Sequence, residues 1–201
     1  ENLLKISNKY PISLWKGDIT TLSIDCIVNA ANSKGLGCFT FGHKCIDNII
    51  HGRAGPRMRD ECKTRLRNNQ NNQIDPGNQI ITLGYNLPSR YVFHTVGPIY
   101  NQNDKVNSKL TLIKCYLNCL NGLKDIRKSS IAFPCISTGE YGYPKVEACV
   151  IALNTVKRWF DENPNYKINV VFCVYTDEDK EIYKNNMIKL FNQSKNANVS
   201  K

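Results

Sequence analysis

Cys38, His43 and Cys45 lie in one short run, Gly37-Cys-Phe-Thr-Phe-Gly-His-Lys-Cys45. Two thiols and an imidazole at this spacing form the donor set that zinc prefers. No fourth protein ligand stands beside them in the run. Three ligands with one open position is the pattern of a catalytic zinc, because the vacancy takes water or substrate. Cys62, His51 or Asp47 closing the site to four would make it structural instead. Asp47 follows Cys45 at the start of a helix, where it can act as general base, orient a hydroxyl or cap the helix. His51 is one turn further on the same face. His51 and His94 both read more simply as packed structural groups than as ligands.

Three further stretches have chemistry to offer. Gly17-Asp18-Ile19-Thr20 follows a strand. Asp18 there either caps a turn or accepts from an exocyclic amine such as that of adenine. Asn29-Ala-Ala-Asn32 ends a strand with two amides that each donate and accept, which suits a ribose diol as well as a plain turn. Cys135-Ile-Ser-Thr-Gly-Glu-Tyr-Gly-Tyr-Pro144 joins a strand to a helix. Gly139 and Gly142 let successive backbone amides turn toward one anion, and the helix opening near Lys145 adds its dipole. Pyrophosphate is the natural guest. Tyr175, at the end of the last strand, either lies against an adenine face or belongs to the core.

The elements that must hold these loops alternate. Strands are expected at Ile12–Trp15, Cys26–Asn29, Gln79–Leu83, Tyr91–Val96, Ser130–Cys135 and Ile168–Tyr175. Helices are expected at Cys45–Ala54, from Gly55-Pro56 to about Arg67, and at Leu110–Leu123, Lys145–Phe160 and Asp177–Phe191. Proline separates the first two because it lacks an amide and clashes with the preceding turn. Asn68–Asn78 reads as loop. Such alternation implies an α/β sandwich with a largely buried sheet. Ligands in such folds bind beyond the carboxyl ends of strands, where all the loops singled out above sit. One domain over residues 1–193 is expected, with a mobile tail over 194–201.

The 201 residues suffice for one well-buried domain, and 41% hydrophobic content is ordinary for a globular chain. No run is apolar enough to cross a membrane, and no opening segment reads as a signal peptide. The first residue is Glu1, so a longer natural chain is expected. Nine cysteines is an odd count, and Cys26, Cys115, Cys119, Cys149 and Cys173 sit in apolar runs as small buried hydrophobes do. A reducing, cytoplasmic setting is expected. The sequons at Asn192 and Asn198 then have no use. A formal net charge of +10 attracts phosphate-bearing partners. The densest cluster (Arg53, Arg57, Arg59, Lys63, Arg65, Arg67) has helical spacing and reads as a solvated helix face rather than a nucleic-acid stripe.

Five stretches together resemble the macrodomain family, which binds ADP-ribose. They are Trp15-Lys-Gly-Asp-Ile-Thr20, Ile27-Val-Asn-Ala-Ala-Asn32, Ile46-Asp-Asn-Ile-Ile-His51, His94-Thr-Val-Gly-Pro98 and Ile131-Ala-Phe-Pro-Cys-Ile-Ser-Thr-Gly139. They occur in the family's order, and the likeness spans Leu14 to Phe191. The resemblance implies a three-layer α/β/α sandwich with a mixed central sheet. It implies that Asp18, with Ile19 alongside, meets the adenine amine and that Tyr175 flanks the ring. Asn32 would hold the distal ribose. Ser137, Thr138, Gly139, Glu140, Tyr141 and Gly142 would wrap the pyrophosphate, with Tyr141 near the distal ribose.

Hydrolytic macrodomains ordinarily carry a glycine run before the aspartate that aligns with Asp47. The Cys38–Cys45 run replaces it and is similar to the zinc-dependent macrodomain subfamily. That likeness implies a zinc ion on Cys38, His43 and Cys45, with Asp47 and Asn32 as catalytic residues. It further implies removal of ADP-ribose from acidic side chains of mono-ADP-ribosylated proteins by a monomer. A non-catalytic reader of ADP-ribosylated proteins would share every binding motif, and deacetylation of O-acetyl-ADP-ribose would share the ester chemistry. RNA binding is the weakest alternative. Glu140 departs from the family's apolar residue, and a carboxylate there should weaken pyrophosphate binding unless it points away.

Overall fold

The computed structural model describes residues 3–7, 9–40 and 42–192. The expected tail over 194–201 and the sequon at Asn198 lie outside them.

Seven strands make one sheet: β1 Leu4–Lys5, β2 Ile12–Lys16, β3 Cys26–Ala30, β4 Gln79–Leu83, β5 Tyr91–Thr95, β6 Ser130–Phe133 and β7 Asn169–Val174. Among the described residues five α-helices accompany them: α1 Ile46–Ala54, α2 Pro56–Leu66, α3 Lys105–Asp125, α4 Lys145–Glu162 and α5 Asp177–Asn192. The spatial order is β1-β2-β7-β6-β3-β5-β4. The five central strands are parallel, while β1 and β4 close the edges antiparallel. The mixed sheet therefore stands as expected.

Side chains alternate along each central strand and separate the two cores. Val28, Phe93, Ile131, Phe133 and Phe172 pack with Leu112, Cys115, Tyr116, Leu153 and Trp159 of α3 and α4. Ile27, Val92, Ala132 and Cys173 pack on the opposite face with Ile50 of α1 and Met58 and Cys62 of α2. Helices cover both faces, which makes three layers. The cysteines expected to be buried are so, and all nine are free thiols.

Most element bounds match expectation within a few residues. Gly55 breaks α1 from α2 with φ +86°, and Pro56 opens the second helix. Two differences have local causes. β1 is only two residues long, too short to show a period. α3 begins at Lys105 instead of Leu110, because Asp104 caps it by accepting from the Asn107 amide at 3.1 Å. Its first turn is mostly polar, so hydrophobic spacing does not reveal it.

Parallel strands deliver their carboxyl ends to one edge. That edge collects the turn after β2, the loop after β3, the loop after β6 and Tyr175 after β7.

Candidate functional site

Asp47 lies at the floor of this edge. It sits in the first turn of α1 and is 3% exposed. Its Oδ1 accepts from Asn29 Nδ2 at 2.7 Å, and its Oδ2 accepts from Asn32 Nδ2 at 3.1 Å. Burial raises its pKa, and the Asn29 bond opposes that rise. Neither oxygen is spent on capping its own helix. Cys45 does that instead, its sulfur accepting from the Asn48 amide at 3.4 Å. Of the three roles open to Asp47 in the sequence, capping is thus filled by another residue.

Asn29 differs from its sequence reading. It is fully buried at 0% exposure and turned toward Asp47 and His94, so it holds the carboxylate and does not face a sugar. Asn32 is half-buried. Its amide nitrogen also donates to Gly37 O at 3.2 Å, and its oxygen accepts from the Lys34 amide at 3.0 Å.

Cys38, His43 and Cys45 offer one donor atom each, and the three atoms lie within 4.8 Å of one another. Donors around one tetrahedral zinc stand roughly 3.3 to 3.8 Å apart, so a small contraction would gather them. The set fits zinc. His43 Nδ1 is 3.2 Å from Cys38 Sγ. The imidazole draws the Cys38 thiol down to about 7, toward the thiolate that binds metal. His51 and Cys62 do not complete this set. They cluster instead with His94 in the buried α1–α2 layer. Burial pushes His51 down to about 4 and His94 to about 3. Both rings are therefore neutral, and their reading as packed groups agrees with this placement.

The loop is shaped by its glycines and one arginine. Gly37 has φ +92°, and a Cβ there would stand 3.1 Å from the His51 ring. Arg59 Nε donates to Leu36 O at 2.8 Å, and its guanidinium lies 4.9 Å from the Phe39 ring centroid. Arg59 ties this loop to α2, a contact that helical charge spacing alone does not single out.

The loop after β6 carries Ser137, Thr138, Gly139, Glu140, Tyr141 and Gly142. Ser137 has φ +66° and Gly142 φ +64°. Left-handed backbone at a serine is strained and concentrates at ligand sites. Ser137 Oγ is buried with no hydrogen-bond partner. Its neighbour Gly97 has no room for a Cβ, which would collide with that hydroxyl. The loop is pinned by Tyr143 N donating to Ser137 O at 2.9 Å and Tyr100 N donating to Tyr141 O at 2.8 Å. α4 opens at Pro144 without a side-chain cap. Tyr141 is half-buried; burial raises its pKa, and the charge of Asp47 adds to the rise.

Glu140 points across the cleft. Its Oε1 is 3.2 Å from His43 Nε2, so the carboxylate faces the Cys/His loop and not the cradle of amides. This contact joins the loop after β3 to the loop after β6.

At the far end, Asp18 caps a short 3-10 turn, with Oδ1 accepting from Thr20 N at 3.0 Å and from Thr20 Oγ1 at 2.6 Å. Its Oδ2 pairs with Arg53 Nη1 at 2.7 Å. The capping reading thus holds, and an amine would share this carboxylate with Arg53. Ile19 is buried in the α1–α2 core. Gly17 N donates to Val174 O at 3.0 Å, which sets the Asp18 turn beside Tyr175. Tyr175 is 76% exposed, so it is not a core aromatic. The basic side chains of α2 are largely engaged: Arg65 with Glu61, Lys63 with Asp60, Arg57 over Tyr85.

A three-layer sandwich thus carries a strained hydroxyl-bearing loop, a buried carboxylate and an exposed aromatic along one edge of its sheet. The chain belongs to the Macro domain family, whose pattern matches residues 28–152. It is 48% identical to a Staphylococcus aureus (strain MRSA252) protein named protein-ADP-ribose hydrolase, over 86% of this chain and 65% of that one. The chain thus spans just under two thirds of that relative. The Oceanobacillus iheyensis macrodomain solved with ADP is similar at TM-score 0.82 and 38% identity, covering 96% of this chain and 97% of that one. The Trypanosoma brucei macrodomain in complex with ADP-ribose is similar at TM-score 0.79 and 33% identity, covering 91% and 73%.

Proposed function

We propose that this macro domain binds ADP-ribose along the carboxyl edge of the sheet and hydrolyses its ester to acidic side chains of mono-ADP-ribosylated proteins, with zinc. One observation carries the reading. The Cys/His loop meets the loop after β6 through His43 and Glu140, and the same loop leads directly into Asp47. Three metal donors and an oriented carboxylate thus flank one place. A named hydrolase relative and relatives solved with ADP and ADP-ribose support it.

Tyr175 and Asp18 receive the adenine end. The amides and hydroxyls of Ser137 to Gly142 take the pyrophosphate, whose negative charge suits such a nest. Asn32 and Tyr141 meet the distal ribose. Asp47, held by two amides, orients the attacking water or a ribose hydroxyl by hydrogen bonding. The hydroxyl of water would bond to one carbon of the ester linkage, that carbon's bond to the bridging oxygen would break, and the target's carboxylate and ADP-ribose would part with one proton released to solvent. Zinc bound by Cys38, His43 and Cys45 would supply Lewis acidity toward the distal ribose or the ester.

The test is release of ADP-ribose from a protein modified on acidic residues, by enzyme as purified, chelator-stripped and zinc-restored. Loss and recovery support the metal-dependent hydrolase. Equal rates in all three make zinc structural or absent and leave the chemistry with Asp47. ADP-ribose binding without release makes the domain a reader.

A further inference from the structure

The buried contacts behind Asp47 form a directional chain. Thr82, His94, Asn29 and Asp47 are each 3% exposed or less. Thr82 Oγ1 lies 3.1 Å from Leu83 O and 2.9 Å from His94 Nε2. A hydroxyl has one hydrogen. Donated to the carbonyl, it leaves the oxygen to accept from His94 Nε2–H. A neutral imidazole has one N–H, so Nδ1 is then an acceptor. Asn29 Nδ2 stands 3.1 Å from that Nδ1 and 2.7 Å from Asp47 Oδ1. Its two hydrogens serve both, so the contacts from Leu83 to Asp47 run in one direction, with Asn29 Oδ1 alone left without a partner.

The opposite tautomer breaks the chain. With the hydrogen on Nδ1, two donors would face each other between His94 and Asn29. Asn29 would relieve this by turning its amide over, which sets its oxygen against the Asp47 carboxylate. We infer that Thr82 and His94 are positioning residues for the proposed reaction. The Thr82 hydroxyl, on the edge strand β4, selects the His94 tautomer and through Asn29 sets the orientation of Asp47. Cys62 Sγ, at 3.8 Å from His94 Nε2, is a poorer acceptor and does not replace the hydroxyl.

The inference rests on the hydrolase reading, and its test separates the two. Thr82→Val removes the hydroxyl at nearly constant shape, and Thr82→Ser restores it. The ring nitrogens of His94 are read by 15N NMR at neutral pH. Turnover of a mono-ADP-ribosylated protein and affinity for ADP-ribose are measured alongside. Expected is an Nε2–H imidazole in wild type and in Thr82→Ser, and a gain of the Nδ1–H form in Thr82→Val. The kcat of Thr82→Val should fall by about ten- to a hundredfold, with ADP-ribose affinity held within about twofold and Thr82→Ser near wild type. An Nδ1–H imidazole in the wild type overturns the inference without any variant. So does a Thr82→Val protein with unchanged tautomer or unchanged kcat. If the wild type releases no ADP-ribose, the hydrolase reading fails, and the two tautomer measurements still decide whether Thr82 sets the chain.

Discussion

Replacing Glu140 by alanine should move two affinities in opposite directions. Glu140 Oε1 sits 3.2 Å from His43 Nε2, while His43 Nδ1 faces Cys38 at 3.2 Å. If zinc takes Nδ1, the Nε2–H donates to the carboxylate, fixing ring and tautomer. Loss of such an outer partner typically costs about ten- to a hundredfold in metal affinity. The Glu140 side chain is 77% exposed, and water screens it, so the lower end, about tenfold, is expected. The same substitution removes a negative charge from the pyrophosphate loop. One charge roughly 6 Å from a phosphate in water-like surroundings changes affinity by about threefold, here in favour of ADP-ribose. Competition with a chromophoric chelator measures zinc, and calorimetry measures ADP-ribose. Glu140→Gln retains an acceptor and should keep most of the zinc affinity while gaining the ADP-ribose increment. Zinc affinity within twofold of wild type in Glu140→Ala would refute the reasoning.

Cys38→Ala and His43→Ala should bind zinc in substoichiometric amounts and lose turnover while still binding ADP-ribose, as elemental analysis and calorimetry will show; Cys45→Ala adds the loss of the α1 cap, about 1 kcal/mol. Asp47→Ala should abolish turnover at unchanged metal content, so full activity in a zinc-loaded Asp47→Ala protein would remove the carboxylate from the mechanism. Gly37→Val should unfold earlier by about 1 to 3 kcal/mol, because it combines a left-handed φ with a collision against His51. Stability should fall with acid: His51 and His94 titrate at about 4 and about 3 in the fold, against about 6.5 unfolded. Their contribution is whole above pH 6.5 and shrinks as pH drops toward those values. Proton uptake by these two imidazoles on unfolding then lowers stability by about 2 kcal/mol per pH unit between pH 6 and pH 4. Urea midpoints across that range measure the slope, and a flat profile would contradict the burial argument.

The parts legible in the sequence are those written in local patterns. Alternating strands and helices announced the layers, and Gly55-Pro56 announced the break between α1 and α2. Cys38, His43 and Cys45 were legible because their chemistry is unusual and their spacing short, and the fold brings their donors together. The support of Asp47 was not legible. Asn29, Thr82 and His94 come from β3, β4 and β5, and only strand register sets them in line. Asn29 suits a ribose diol or a turn in the sequence, whereas in the fold it is buried against Asp47 and His94, a placement that only the pairing of β3 with its neighbours reveals. Glu140 was recognised as a misfit, but its partner His43 lies 97 residues away. Arg59 looked like one more charge on a solvated helix, while its guanidinium ties down Leu36.

The distribution of thiols makes the site chemically addressable. Burial pushes Cys26, Cys62, Cys149 and Cys173 up to about 12 and Cys115 to about 11, and Cys119 and Cys135 are raised as well. Only Cys38, half-buried on its loop, is drawn down, to about 7. Burial raises Cys45 too, so in the zinc-free protein Cys38 is the sulfur that a mild electrophile meets first at neutral pH. Zinc on Cys38, His43 and Cys45 would shield that sulfur, so its labelling rate would report whether the loop holds metal. The chain carries its own attachment point for a covalent probe or inhibitor, and the buried thiols need not be mutated away to use it.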